Sequence, residues 1–249
     1  MGEKEFEKEF NKLTYSHEGS IVFNDFLDYT IDMFTINPDT KLFNCKKYKD
    51  KDYEYFYNMF RELVLWTQEE LEHRPFFDGL GTFYEDIIQS KYKAGTTGQF
   101  FTPMDVTRLM TRLVDDEEDP VEDVKRVYDC ACGSSRTLLS HHTQRPYDLC
   151  FGWDLDSTSV KMSVINFLLH GVKGSVCHMN SLSLEFFTGF KVNEFIDLGK
   201  PFTVYQCSSW RESQIFIGHN TKQDVVAVKE EELPVVENAM DKTKQTTLI

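Results

Sequence analysis

A chain of 249 residues with 14% aromatics, including 21 Phe, carries enough apolar material for one large core or two small ones. No run of eighteen apolar residues occurs, so no membrane-spanning helix is expected, and the Glu/Lys/Phe alternation from Met1 to Phe10 is unlike a secretory leader. The formal net charge of −14 counts against a protein that grips nucleic acid unaided, and leaves DNA contact to a local basic patch or a basic partner subunit.

Residues 1–98 read as a helical region. Ile21, Phe23, Phe26, Leu27, Tyr29, Thr30 and Met33 recur at near-helical spacing. Tyr53 to Leu71 repeats the pattern, with Phe56, Met59, Phe60, Leu63, Val64 and Trp66 on one broad face. Phe83, Ile87 and Ile88 mark a third helix entered after Gly79 and Gly81. A loop of small residues, Lys93 to Gln99, leads to Phe100-Phe101-Thr102-Pro103 and another helix. Thr102 suits its cap, Pro103 its first turn and Asp105 the capping carboxylate. Val106, Leu109, Met110, Leu113 and Val114 form its apolar stripe, and Asp115 to Asp123 is an acidic connector.

From there to residue 228 the pattern changes to strands at 124–129, 149–154 and 174–179, with a helix from Ser159 to His170. Strands alternating with helices predict an α/β fold with a parallel sheet. Phe195–Leu198, Phe202–Cys207, Gln214–Gly218 and Asp224–Val228 are four further short strand candidates, and 229–249 reads as a polar tail. The six cysteines are scattered without metal-ligand spacing and read as buried thiols of a cytoplasmic protein. His141 and His142 lack a third ligand at suitable spacing, so no metal site is expected.

The chemistry concentrates in Asp129-Cys130-Ala131-Cys132-Gly133-Ser134-Ser135, a small-residue turn leaving the first strand, and in Gly152-Trp153-Asp154-Leu155-Asp156, where the second strand ends in acid. A strand, a tight turn, a helix and a second strand ending in a carboxylate make one nucleotide-binding unit. The turn lets backbone approach a ligand, and the second carboxylate can take both hydroxyls of a ribose. Together they point to an adenosine-containing cofactor.

Gly98-Gln99-Phe100-Phe101-Thr102-Pro103, Asp129-Cys130-Ala131-Cys132-Gly133-Ser134, Gly152-Trp153-Asp154-Leu155-Asp156, Asn166-Phe167-Leu168-Leu169-His170-Gly171 and Asn180-Ser181-Leu182 occur in this order. Together they resemble the S-adenosylmethionine-dependent N6-adenine DNA methyltransferases, in particular the modification subunit of type I restriction systems, over about residues 50 to 185. The resemblance implies a Rossmann-like methyltransferase domain over 99–228, preceded by the helical region. It implies S-adenosylmethionine as cofactor. Phe101, Thr102 and Pro103 would face its amino-acid end, and Asp129 would take its ammonium. Gly133 and Ser134 would lie along the methionyl chain, Asp154 at the ribose hydroxyls and Asn180 at the adenine amino group, with Cys130, Ala131, Leu155 and Ser181 as further cofactor-binding candidates. Phe101 and Trp153 would supply apolar or aromatic walls, with core packing as the other role for Phe101. The acidic balance of the chain suits a basic protein partner, through which DNA contact would run.

Two departures from the family pattern stand out. Ser135 and Arg136 replace glycine after the turn. A left-handed backbone at Ser135 would be strained, and an inward Arg136 would oppose the cofactor's sulfonium. The family's Asn/Asp-Pro-Pro-aromatic tetrapeptide, whose acceptors hold the adenine amine while the aromatic stacks on the flipped base, occurs nowhere in the chain. Gly199-Lys200-Pro201-Phe202 is nearest by position, which makes Pro201 and Phe202 the catalytic-side candidates and Asn193 or Asp197 substitute acceptors. Little room is expected for a target-recognition domain. Three functions fit: an adenine methyltransferase with a degenerate catalytic loop, a non-catalytic homologue that acts by binding protein, for example by interfering with restriction–modification, or an enzyme acting on S-adenosylmethionine or a small methyl acceptor.

Overall fold

The computed structural model describes residues 2–37, 41–92, 101–114 and 124–216, with side chains of the second stretch to residue 88. The loop expected at Lys93–Gln99, the acidic connector, the strand expected at Asp224–Val228 and the tail lie outside these residues. The chain divides into two units, Met1–Gln214 and Ile215–Ile249, and every helix and strand named below belongs to the first.

Four helices open the chain: α1 (Gly2–Thr14), α2 (Gly19–Phe34), α3 (Asp50–Leu71) and α4 (Gly79–Phe83), the last widening into a π-type helix over Tyr84–Tyr92. Helix α1 packs on α3 through Phe6, Phe10 and Leu13, all buried. Phe6 meets Phe26 and Phe83 edge-to-face at 5.4 and 4.8 Å, and Phe10 meets Phe83 at 5.1 Å. Each such ring removes enough apolar surface from water for about 1.5–3 kcal/mol. Helix α2 closes the core against α7 (Ser157–His170).

Strands β1 (Arg126–Asp129), β2 (Leu149–Asp154) and β3 (Gly174–Asn180) pair in parallel, as the alternation of strands with helices predicts. Helix α6 (Arg136–Gln144) links the first two and α7 the second and third. Beyond β3 the sheet becomes mixed. Strands β4 (Glu185–Val192) and β5 (Val204–Cys207) follow antiparallel, giving the order β1-β2-β3-β4-β5. The architecture is thus a helical region followed by a five-stranded mixed α/β sheet. The short helix α8 (Trp210–Ser213) covers part of it.

Three local expectations change. Ile196–Leu198 is a 3-10 turn rather than a strand, and residues 214–216 carry no strand. Helix α5 (Met104–Val114) buries Thr107 and Thr111, while its apolar stripe faces outward among the described residues, Leu113 and Val114 at 76% and 85% exposure. Small hydroxyl side chains let α5 approach α6 closely. Thr107 Oγ1 donates to Met104 O, and the Thr111 and Ser140 hydroxyls share a 2.8 Å bond.

Candidate functional site

The C-terminal ends of parallel strands are where an α/β sheet binds ligands. Asp129, Asp154 and Asn180 end β1, β2 and β3 side by side in this position. The turn after β1 is tied to β2 by backbone. Cys132 N donates to Trp153 O at 2.9 Å, and Gly133 N to Asp154 Oδ2 at 2.8 Å. The other oxygen of Asp154 accepts from Asp156 N at 2.8 Å. Each of those oxygens keeps a second lone pair. Gly133 has φ +55°, and a Cβ there would stand 2.8 Å from the Phe101 ring. Phe101, Thr102, Ala131, Cys132, Gly133, Ser134, Arg136, Thr137 and Asp154 line a cavity of about 250 Å³.

Asp129 Oδ1 accepts from Ala131 N, and the Thr137 hydroxyl also serves this carboxylate. Burial, with Asp154 adding to it, raises its pKa above the ordinary aspartate value. A raised folded-state pKa means the proton is held more tightly in the fold than in the open chain. Its contribution to stability is therefore full at acid pH and is lost as pH rises through the folded value. Asp129→Asn is accordingly expected to raise the urea midpoint of the free protein slightly at pH 7, with no gain near pH 3. A lower midpoint at pH 7 would contradict this.

The expected strain at Ser135 is present: its φ is 71°, a conformation that costs a non-glycine residue about 1 kcal/mol. Its hydroxyl donates to Ser163 Oγ at 2.8 Å, and Ser163 Oγ in turn donates to Gly133 O at 2.7 Å. Arg136 reaches the cavity wall with its charge compensated. Nε donates to Asp78 Oδ2 at 2.7 Å and Nη2 to Glu85 Oε2 at 2.8 Å. Burial alone would lower its pKa, but these two carboxylates hold it above the ordinary arginine value. Asp78 also accepts from Gly81 N, Ser134 Oγ and Asn166 Nδ2. His170, in the Asn166–Gly171 motif, accepts from Phe77 N at Nε2 and bonds Asn166 O through Nδ1, which fixes the Nδ1–H tautomer. Burial lowers its pKa. Asp78, Glu85 and Thr137 have no mark in the sequence pattern.

The other candidates fall into three places. Pro103 accepts the first helical bonds of α5 from Val106 N and Thr107 N, so Pro103 takes the cap position expected of Thr102. Cys130 and Leu155 are exposed beside the strand ends, and Ser181 Oγ donates to Cys130 O at 2.5 Å. Asn180 Oδ1 accepts from Leu182 N and Ser183 N, so its oxygen builds the β3–β4 turn. Pro201 and Phe202 sit apart from the site. They precede Val204, which pairs with Val192 and through it with Gly174, the first residue of β3, at the opposite end of the sheet. Asn193 is engaged there with Phe167 O, Val172 O and Phe202 N, and Asp197 pairs with Lys173. None of these four reaches the strand ends that carry Asp129 and Asp154.

Among the described residues no group of three His, Cys, Asp or Glu side chains converges. His141 pairs with Asp148 at 2.8 Å, and burial lowers the pKa of His142 to about 4. Cys132, Cys150, Cys177 and Cys207 are buried thiols, whereas Cys45 and Cys130 are exposed. No described helix is long and apolar enough to cross a membrane. A larger cavity of about 540 Å³, mostly apolar, runs along β1 beneath α5 and ends at Asp129.

Asp129 and Asp154 thus stand at adjacent strand ends on either side of a glycine turn in an α/β sheet. The family model described as N-6 DNA Methylase matches residues 77–233, more than half of the chain, and the chain belongs to that family. It is 32% identical over 38% of its length to the type I restriction enzyme MpnII methylase subunit of Mycoplasma pneumoniae, and 29% identical over 39% to the MjaVIII methylase subunit of Methanocaldococcus jannaschii. It spans 18% and 16% of those relatives. A type I restriction-modification methyltransferase subunit from Streptococcus thermophilus aligns with 67% of this chain and 36% of its own, at 24% identity and a TM-score of 0.34.

Proposed function

We propose that this chain binds S-adenosylmethionine at the ends of β1 and β2 and is the cofactor-holding part of a restriction–modification adenine methylase. The observation that carries this reading is the pair Asp129 and Asp154, set on either side of the Gly133–Ser134 turn in a member of the N-6 DNA methylase family. The donor set fits the cofactor. Asp129 offers a carboxylate to the ammonium and Asp154 offers two oxygens to the ribose hydroxyls. Phe101, Thr102 and Gly133 form the wall and floor of the methionyl channel. Leu155, Asn180 and Ser181 rim the adenine side, with the amide nitrogen of Asn180 as the donor, since its oxygen builds the turn. The bound cofactor supplies an electrophilic methyl group on its sulfonium.

The base side is not furnished in the same way. The family's tetrapeptide is absent from the sequence, and Pro201 and Phe202 lie at the far end of the sheet. We therefore expect cofactor binding without methyl transfer by this chain alone, with DNA contact supplied by a protein partner that suits its net charge of −14. Calorimetric titration of the purified chain is expected to give one site with a micromolar Kd, about 8 kcal/mol. Absence of binding would overturn the reading. Label transferred to methylation-deficient DNA by the chain alone would overturn its non-catalytic half.

A further inference from the structure

Arg136, at the start of α6, lines the cavity, and Glu85, in the helical region, bonds both Arg136 and Phe101 of its wall. Glu85 Oε1 accepts from Phe101 N at 2.9 Å while Oε2 accepts from Arg136 Nη2 at 2.8 Å, so one carboxylate bridges two donors through separate oxygens. The Arg136 guanidinium lies 5.3 Å from the Phe101 ring centre, and Nη1 points to Thr102 O at 3.4 Å. The same ring lies close against Gly133, where a Cβ would stand 2.8 Å from it. Phe101 and Thr102 are thus held over the turn by backbone, ring face and ion pair together. Glu85 sits in the first turn of the π-type helix, a geometry that recurs at functional sites.

We propose that Glu85 is a positioning residue for the cofactor: with Arg136 it fixes the Phe101–Thr102 segment against Gly133 so that the channel fits the amino-acid end of S-adenosylmethionine. This rests on the proposed cofactor binding. Asp78 shares Arg136 but is fully buried and serves the fold, whereas Glu85 is a quarter exposed and touches the wall itself. Replacement by glutamine keeps size and leaves one acceptor oxygen where two are needed, and it turns an NH2 group towards a donor.

The test compares the intact chain with Glu85→Gln in three measurements: the thermal midpoint, amide exchange at Phe101 in the free protein, and affinity for S-adenosylmethionine and for 5′-methylthioadenosine, which lacks the amino-acid end. The variant is expected to stay folded, to lose protection at Phe101 N–H, and to bind S-adenosylmethionine on the order of tenfold more weakly with 5′-methylthioadenosine unchanged. An equal loss for both ligands, or a loss for neither, overturns the positioning role while leaving the cofactor reading intact, as does unaltered protection at Phe101. If the intact chain binds neither ligand, the cofactor reading fails and this inference with it. Should Glu85→Gln fail to fold, Glu85 is a structural residue and the proposal is wrong; Thr102→Gly, which loosens the same segment without touching the ion pair, then reports whether segment order governs affinity.

Discussion

Replacing Asp78 with alanine is expected to cost the fold about 3–5 kcal/mol, read as the shift of a urea unfolding curve. The carboxylate has no exposed surface and accepts four donors: Gly81 N at 2.7 Å and Asn166 Nδ2 at 2.8 Å on one oxygen, Ser134 Oγ at 2.5 Å and Arg136 Nε at 2.7 Å on the other. Alanine removes every acceptor and leaves a guanidinium that is only 6% exposed with Glu85 as its one remaining carboxylate partner among the described residues. A surface ion pair would be worth under about 1 kcal/mol, so the size of the loss distinguishes a buried hub from a decorative contact. Because the penalty comes from the stranded charge, Asp78→Ala combined with Arg136→Met is expected to recover part of it. A single-variant loss below about 1 kcal/mol, or strict additivity in the pair, would show that water replaces the missing carboxylate.

This hub also explains how far the sequence can be read. Strands β2 and β3 are legible because buried parallel strands are written as short apolar runs, while β1, only half-buried, is marked by Val127-Tyr128 and by Asp129 beside a small-residue turn, as Asp154 marks the end of β2. Helices α2 and α3 announce themselves by dense aromatic spacing. Helix α1 falls inside the region read as helical, although its charges make the helical spacing of Phe6, Phe10 and Leu13 less conspicuous. Strand β4 escapes the sequence reading because its pattern is half polar and its entry depends on Asn180 folding onto its own turn. The ties among Asp78, Glu85, Ser134, Arg136 and Asn166 join residues 32 to 88 positions apart, a distance no local pattern records. Arg136 illustrates the consequence. By sequence it threatens a cationic cofactor, and in the fold two distant carboxylates compensate it.

Asp154→Ala is expected to lower affinity for S-adenosylmethionine by roughly 10- to 100-fold, the effect of losing a charged acceptor worth about 1.5–3 kcal/mol. Two contributions combine in that number. The Asp154 carboxylate accepts from Gly133 N and from Asp156 N, so its removal frees the turn as well as taking away the ribose acceptor. The analogue with a 2′-deoxyribose separates them. If the carboxylate takes the ribose hydroxyls, the intact chain should bind the deoxy analogue more weakly than the natural cofactor, and Asp154→Ala should bind the two nearly alike. If the variant still discriminates between them, Asp154 acts only by shaping the turn. Asp154→Asn is the informative intermediate. Its one remaining oxygen can satisfy Gly133 N, but its NH2 group then faces Asp156 N, so it should cost about 1 kcal/mol of folded stability, less than alanine, while losing most of the preference for the ribose. Loss of stability with an intact ribose preference would assign Asp154 to the fold and leave the nucleoside end of the site to the Leu155 and Asn180 rim.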